Sequence, residues 1–279
     1  MNLKTFASEV SKVYKQNPKV EAVLLGGSVA RGWQDEHSDI ELFVLWNVSP
    51  TEEDRNIPIN HLHGHIIDFH PYEEEEWSES FITQGVKLEI SNFLTNSMQK
   101  VINDVIIDCD TDLHKQCLVA SVHDGISLAG EEIMAQLKKK VEVYPKELSG
   151  AMIRSNMYLG SKWDNRKALL DREDWLLLYK LIVSAQENLM GVLFGLNQLY
   201  VHHPVFKWQQ RSLEKMKIVP ENLSYRLTAI LLEHPRSGLR ELEMVIQEIY
   251  QLVQKAYPSM DLSKFMDDTL FLRPKNTVE

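Results

Sequence analysis

The sequence predicts two domains, an N-terminal α/β (α+β) domain with a mixed sheet and a C-terminal all-α helical bundle. Short apolar or alternating runs, which are typical of strands, are interspersed with helical patterns over residues 1–143. From residue 146 onward the apolar residues recur with a helical period. Because proline resists continuing a helix, Pro145 predicts a boundary, with domains at residues 1–143 and 144–279.

The first predicted elements are a helix and a strand that ends at a glycine turn. Apolar residues recur with a helical period over residues 3–16, and residues 20–25 are apolar enough for a buried strand. Gly26 and Gly27 stop that strand, and they allow a ligand to approach the backbone closely.

The residues after the glycines predict a phosphate-binding turn. Ser28 is a candidate N-cap for a helical turn, and Arg31 lies one turn further on. Free N–H groups at the start of a helical turn attract anions. We therefore expect Gly27, Ser28 and Arg31 to bind phosphates.

Two acidic residues lie on the next predicted strand, residues 39–45. Asp39 and Glu41 share a face because side chains alternate along a strand, and their Cα atoms are about 7 Å apart. Such a pair beside a phosphate turn suits one or two Mg²⁺ ions that bridge a triphosphate. Most Gly-Gly-Ser turns are merely turns, and a lone Asp-x-Glu is usually a solvated face. Their combination at this spacing is much rarer.

Residues 26–32, GGSVARG, followed by residues 38–42, SDIEL, resemble the signature of the DNA polymerase β-like nucleotidyltransferase superfamily. That signature is a Gly-Ser turn followed by a strand with Asp-x-Asp or Asp-x-Glu. The same residues look similar to the antibiotic adenylyltransferases that modify aminoglycosides and lincosamides. The resemblance implies a nucleotidyltransferase fold for residues 1–143, Mg²⁺ held by Asp39 and Glu41, and ATP as donor substrate. AMP would be transferred to a hydroxyl of a small molecule.

The resemblance also implies a third carboxylate on the strand beside Asp39. Residues 66–69 predict a short strand, and Asp68 matches that third position, as a metal ligand nearer the acceptor. The acidic run at residues 73–76 predicts the start of a helix that carries Trp77 and Phe81, since negative charge suits the positive end of a helix dipole.

Residues 85–95 predict a further strand with Lys87 and Glu89 on one face. In the adenylyltransferases that modify streptomycin and spectinomycin, an acidic residue on the corresponding strand acts as general base. Glu89 is the only acid available for that role on this strand, and a carboxylate within reach can accept the proton of the attacking hydroxyl. A plain ion pair between Glu89 and Lys87 is the alternative, and the sequence leaves both open.

The rest of the chain is predicted to be mainly helical. Residues 101–108 predict a strand. Helices are expected at residues 113–122, in the segment that follows residue 132 and ends at about residue 143, and at residues 148–163, 175–198, 208–216, 223–233 and 237–257. In the similar adenylyltransferases, the helical domain closes the cleft, and a basic residue after one of its helices contacts the triphosphate. Lys207 fits that place, although Asn197 stands where the pattern has an arginine.

Composition limits the partners. The chain has 279 residues and a formal net charge of −10, which makes nucleic acid an unlikely partner because such binding rests on clustered Lys and Arg. An acidic protein favours a neutral or cationic acceptor. The first residues lack the apolar region of a signal peptide, and no uninterrupted apolar run approaches the length of a membrane span, so we expect a cytoplasmic protein. The oligomeric state is left open, with a homodimer among the alternatives.

Two other functional classes stay open. One is a nucleotidyltransferase of toxin–antitoxin type that modifies a protein or RNA, and the acidic charge weighs against the RNA version. The other is a regulatory protein that binds nucleotides without catalysis. A missing carboxylate would be its usual mark, and Asp39, Glu41 and Asp68 are all present.

Overall fold

The computed structural model describes residues 2–73 and 75–274. The chain divides between Tyr144 and Pro145 into two compact units, which we call the N-terminal unit and the helical unit. Within the described residues, the N-terminal unit carries a six-stranded sheet and the helical unit carries helices without strands. The predicted fold class is confirmed.

The described part of the N-terminal unit combines helices with the strands of one sheet. Its elements are α1 Leu3–Tyr14, β1 Val20–Leu25, α2 Gly27–Arg31, β2 Ile40–Trp46, α3 Glu52–His61, β3 His65–Phe69, β4 Trp77–Thr83, β5 Val86–Leu94, α4 Thr95–Ile106, α5 Leu113–Asp124, β6 Ile126–Ala129 and α6 Glu131–Val141.

The sheet is mixed, with the strand order β3-β4-β5-β2-β1-β6. Strands β2 and β5 are parallel, and the other neighbouring pairs are antiparallel. Strand β2 is therefore flanked by β1, which ends in the glycine turn, and by β5, which carries Glu89. Strand β3 lies at the edge of the sheet.

One face of the sheet is apolar and covered. Alternate residues of β2, from Ile40 to Trp46, pack with Leu88 and Ile90 of β5 and with the buried side of α1. Helix α1 is amphipathic and begins at Asn2, whose side chain accepts hydrogen bonds from the first free N–H groups. Burial of this face holds β2 and β5 in register, because a slip of one residue would exchange the two faces.

The other face changes character along β2 and β5. Phe43, Leu45 and Phe93 are buried, and α4 packs against these two strands. At the other end of the same face, Asp39 and Glu41 are only partly buried. The acidic end of this face is therefore the part that remains open to solvent.

Two local predictions were wrong, and α3 was not among the predicted elements. The start of α3 is marked by a capping box between Thr51 and Asp54. Residues 77–83 form β4 rather than a helix, and Glu74 of the acidic run lies outside the described residues. Residues 101–106 belong to α4 rather than to a strand. β-branched residues misled the last assignment, because their strand preference is weaker than the packing of an amphipathic helix.

The helical unit consists of α-helices and one short 3₁₀ helix in its described part. They are α7 Lys146–Asn156, the 3₁₀ helix Trp163–Asn165, α8 Arg166–Asp171, α9 Trp175–Leu196, α10 Gln209–Lys215, α11 Leu223–Leu232, α12 Pro235–Ala256 and α13 Ser263–Leu270. Among residues 2–73 and 75–274, α9 is the one helix with the length and apolar composition to cross a membrane. Because 56% of its most apolar stretch is buried, we describe α9 as a core helix.

Candidate functional site

The glycine turn after β1 is shaped by two close contacts. A Cβ atom on Gly26 would lie 2.3 Å from the Phe43 ring, and a Cβ on Gly27 would lie 2.3 Å from Oε1 of Glu41. Gly27 also has a φ of +62°, which L-residues with side chains rarely adopt. The N–H of Gly26 donates to the Glu41 carbonyl oxygen at 2.9 Å. The turn and the acidic strand are therefore built against each other.

Ser28 is placed differently from our expectation. The N-cap of α2 is Gly26, and Ser28 is the second residue of the helix with a buried side chain. The first N–H groups of a helix lack partners within that helix, so the start of α2 still presents donors at the turn. A phosphate-binding role for Gly27 and Ser28 therefore rests on backbone donors, and it stays a prediction.

The acidic residues form a block on two adjacent strands. Glu41 of β2 is the cross-strand partner of Glu89 of β5, and Ile40 is the partner of Leu88. Asp39 immediately precedes β2, and its Oδ2 lies 3.9 Å from the ammonium of Lys87 on β5. Cross-strand partners point to the same face, so these four side chains lie together. We call Asp39, Glu41, Lys87 and Glu89 the acidic block.

Lys87 is the cation of the acidic block. Its ammonium forms an ion pair with Oε1 of Glu89 and lies 3.9 Å from Oδ2 of Asp39. The hydrogen bond to Glu89 raises the pKa of Lys87, and the charges of Asp39 and Asp68 add to the effect. The ion pair between Lys87 and Glu89, left open from the sequence, is present. The contact with Asp39 was missed, because only the strand register brings these residues together.

Asp68 is not on the strand beside Asp39 and Glu41. The neighbour of β2 is β5, whereas Asp68 lies on the edge strand β3, separated from β2 by β5 and β4. The prediction of its strand was therefore wrong. At about 4.8 Å per strand, its Cα is about 14 Å from the Cα of Glu41. Asp68 pairs with Ser80 and accepts a hydrogen bond from its hydroxyl at 3.2 Å.

Asp68 and Glu41 nevertheless lie in one continuous row. Ser80 of β4 is the cross-strand partner of both Asp68 and Glu89, and Glu89 is the partner of Glu41. The row therefore crosses four strands on one face of the sheet. Asp68 is exposed at its outer end, whereas Glu41 lies at its inner end against Gly27.

Arg31 is held by an acid from another helix. Its Nε donates to Oδ2 of Asp124 at 3.0 Å, and its guanidinium lies 5.6 Å from the centre of the Trp33 ring. Its Nη2 is buried and has no hydrogen-bond partner in the described part of the chain. Arg31 thus connects α2 to the end of α5, and its role toward phosphate stays a prediction.

Lys207 lies in the helical unit, in the segment between α9 and α10, and its side chain is exposed. Asn197 caps α9, and its side chain is used for structure. It donates to the carbonyl oxygens of Leu193 and Ile218 and accepts from the N–H groups of Lys217 and Ile218. The position where the similar enzymes have an arginine therefore orders a loop here, and a triphosphate contact by Lys207 stays a prediction.

The carboxylates of the acidic block have the chemistry of a Mg²⁺ site. In residues 2–73 and 75–274, no three His, Cys, Asp or Glu side chains are grouped as a complete metal cluster. Mg²⁺ seldom needs one, because it commonly takes one or two carboxylates together with phosphate oxygens and water. Asp39 and Glu41 supply two such carboxylates beside the glycine turn, so the residues present fit this ion.

Comparison with known proteins identifies the domain type. Residues 6–95 match the family model of the nucleotidyltransferase domain, and residues 111–209 match a model described as a domain of unknown function, DUF4037. The first match includes the glycine turn and the whole acidic block. Residues 6–95 of the N-terminal unit are therefore similar to nucleotidyltransferase domains.

The other two comparisons give no further information about the type of domain. A solved structure of a nucleotidyltransferase-like protein from Exiguobacterium sibiricum 255-15 is similar, with 14% identity, coverage of 96% of this chain and 78% of that chain, and a TM-score of 0.43. No curated protein matches the chain.

Proposed function

We propose that the protein is a Mg²⁺-dependent adenylyltransferase, which transfers AMP from ATP to a hydroxyl group of a small molecule. The observation that carries the proposal is the acidic block, in which Asp39, Glu41 and Glu89 share one face beside the glycine turn. The nucleotidyltransferase domain over residues 6–95 supports the reaction class. The donor base, the metal and the acceptor are the finer parts of the proposal.

The reaction is an in-line displacement at phosphorus. The acceptor oxygen forms a bond to the α-phosphorus of ATP, and the bond from that phosphorus to the bridging oxygen breaks. Pyrophosphate leaves with the electron pair of the broken bond. The hydroxyl proton moves to a carboxylate oxygen of Glu89, which lies across the strands from Glu41. Such a transfer depends mainly on positioning and on neutralisation of charge.

The residues near the turn would hold the donor. Asp39 and Glu41 would bind Mg²⁺, and the ion when bound supplies positive charge that neutralises the triphosphate. The backbone N–H groups of Gly27 and Ser28 would donate to phosphate oxygens.

The outer end of the acidic row would bind the acceptor. Asp68 is exposed and lies on the same face as Glu89, which suits an acceptor that carries both a hydroxyl and a positive charge. Aminoglycosides are polycationic, and lincosamides also carry an amine. We therefore place an antibiotic of one of these classes first among the candidate acceptors, with Asp68 as an acceptor contact rather than a metal ligand.

Calorimetric titration with ATP, GTP, CTP and UTP, each with and without Mg²⁺, tests the donor. We expect ATP to bind selectively and only with Mg²⁺, and an acceptor screen by pyrophosphate release over aminoglycosides and lincosamides would follow. Binding of no nucleotide under any condition would contradict the proposal. Selective binding of another nucleotide would correct the donor and leave the reaction class in place.

A further inference from the structure

The position of Lys87 within the acidic block is unusual for a site that handles two metal ions. Two ions in a two-metal site lie about 3.5–4 Å apart and share carboxylate ligands between them. The Lys87 ammonium is already in contact with Glu89 and 3.9 Å from Asp39, two of the three carboxylates that the block offers to a second ion. An ammonium and a divalent cation that are about 3.5–4 Å apart repel each other strongly.

The block also divides into two ends. Glu41 is held at the inner end, where its carboxylate lies against Gly27 and hence beside the phosphate turn. Glu89 lies at the other end, toward Ser80 and Asp68, and its carboxylate is paired with Lys87. Asp39 is shared, because its strand neighbour on the same face is Glu41 and its partner across the strands is Lys87.

We propose that the Lys87 ammonium takes the place of a second metal ion, so that the acidic block binds one divalent cation together with the nucleotide. This inference rests on the proposed function and deepens it. The single ion is held by Asp39 and Glu41 next to the phosphates. Lys87 is a positioning residue, since it holds the carboxylate of Glu89 on the acceptor side of the block.

The like charges within the block support this division. Glu41 and Glu89 are direct cross-strand partners, and two negative charges in such positions repel each other. An ion pair from Lys87 to Glu89 reduces that repulsion before any ligand binds. Loss of the ammonium would leave Asp39 and Glu89 without this cation and so favour a second divalent ion in its place.

The test is the number of Mn²⁺ ions bound per chain, counted by electron paramagnetic resonance with saturating α,β-methylene ATP. Wild type is expected to bind one ion, and Lys87→Met two, with affinity for the second ion raised by about tenfold or more. Lys87→Arg keeps the charge and should bind one. Lys19→Met is the matched control, since Lys19 is 38% exposed and pairs with Asp54 away from the block, whereas Lys87 is 41% exposed.

The outcomes separate the inference from the proposed function. Two ions in the wild type, or one ion in Lys87→Met, would overturn the role of Lys87 while Mn²⁺-dependent nucleotide binding still supports the transferase. No nucleotide-dependent Mn²⁺ in the wild type would overturn the proposed function, and the inference with it. Melting temperatures with Mn²⁺ alone give a second measurement. Mn²⁺ should raise the melting temperature of Lys87→Met more than it raises the melting temperature of the wild type. If Lys87→Met does not fold, Lys87→Gln takes its place in this comparison.

Discussion

Two groups of charged side chains lie on opposite faces of strands β4 and β5. On the covered face, Arg55 of α3 pairs with Glu79 of β4, and their side chains are 1% and 0% exposed. On the other face, the acidic block is partly open to solvent, with the Glu89 side chain 46% exposed. The neighbouring residues Glu79 and Ser80 of β4 thus belong to two different electrostatic environments.

The buried pair is surrounded by matching partners. Nε of Arg55 donates to Glu79 at 2.7 Å, and its Nη2 donates to the carbonyl oxygens of His70 and Ser78, each at 2.8 Å. Asn92 donates to Glu79 at 2.9 Å and accepts from the Trp46 indole at 2.9 Å. One positive charge meets one negative charge, and both groups have further hydrogen-bond partners. Such a network serves to hold strands and a helix together.

The acidic block differs because negative charge exceeds positive charge. The block contains three carboxylates and one ammonium, that of Lys87, and Glu41 and Glu89 are direct cross-strand partners. This arrangement is unfavourable for stability and is tolerated at a solvent-accessible edge. The comparison teaches that a balanced, buried pair indicates structure, whereas an unbalanced, accessible cluster indicates a site awaiting a cation.

The largest expected effect is on stability. At about pH 8, Arg55→Met leaves Glu79 buried without its partner and should lower the free energy of unfolding by about 3–5 kcal/mol. Urea denaturation measures this. The surface pair of Lys19 and Asp54 is the matched control, and Lys19→Met should cost at most about 1 kcal/mol. The double variant Arg55→Met/Glu79→Leu should recover most of the loss. Equal costs for Arg55→Met and Lys19→Met would show that burial does not distinguish the two pairs.

The next largest effect is on the rate of AMP transfer. Asp39→Asn removes one negative charge of the acidic block with little change in shape, so pyrophosphate release should fall by roughly 10²–10³-fold. The melting temperature should change little because Asp39 lies at the open edge. Glu36→Gln, an exposed position in the loop before β2, is the control and should retain activity. Undiminished pyrophosphate release by Asp39→Asn would show that Asp39 is not part of the catalytic site.

The glycine turn allows a sharper test of the contact with Glu41. Gly27→Ala places a Cβ 2.3 Å from Oε1 of Glu41 and should lower transfer by up to about 10²-fold, since the carboxylate must move. Gly32→Ala is the control, because Gly32 also has a positive φ but a Cβ there would meet nothing within 4 Å. Both variants should lose about 1–2 kcal/mol of stability from backbone strain. Equal rates in the two variants would contradict a role for this contact.

The last expected effect is gradual, a pH dependence of the free energy of unfolding. Burial raises the pKa of Glu79 from its ordinary value of 4.5 to about 7, although Arg55 and Asn92 act in the opposite direction. Between these values the native state binds a proton that the unfolded state has lost, so this group makes stability fall as the pH rises from about 4.5 to about 7. Glu79→Gln removes that contribution, which is at most about 1.4 kcal/mol per pH unit. Urea denaturation across this interval measures it, and identical slopes in wild type and Glu79→Gln would contradict the raised pKa.

Much of the site could be predicted from local sequence. Alternation placed Asp39 and Glu41 on one face, and the same reasoning placed Lys87 and Glu89 together. The glycine turn was predicted because Gly26 and Gly27 interrupt an apolar run, and the structure adds that each is required by a close contact. These features are local, since they depend on backbone geometry over a few residues.

The failures came from residues whose role depends on distant partners. Glu79 occupies a core-facing position of β4, so the strand pattern there is obscured by a charged residue that Arg55 of α3 makes tolerable. Ser28 was predicted as N-cap because of its residue type, but the N-cap is Gly26, two residues earlier. The contact of Arg31 with Asp124 at the end of α5 was not predicted because the two residues are far apart in sequence, and the role of Arg31 toward phosphate stays a prediction.

The sequence by itself determined which residues share a face, where the chain turns and that helices dominate after Pro145, because periodicity and turn chemistry are local properties. The tertiary structure alone decided that β5, not β3, lies beside β2. Strand order depends on which apolar faces pack together over long separations, and no local pattern records it. That choice brings Glu89 and Lys87 to Asp39 and Glu41, and it leaves Asp68 at the edge of the sheet.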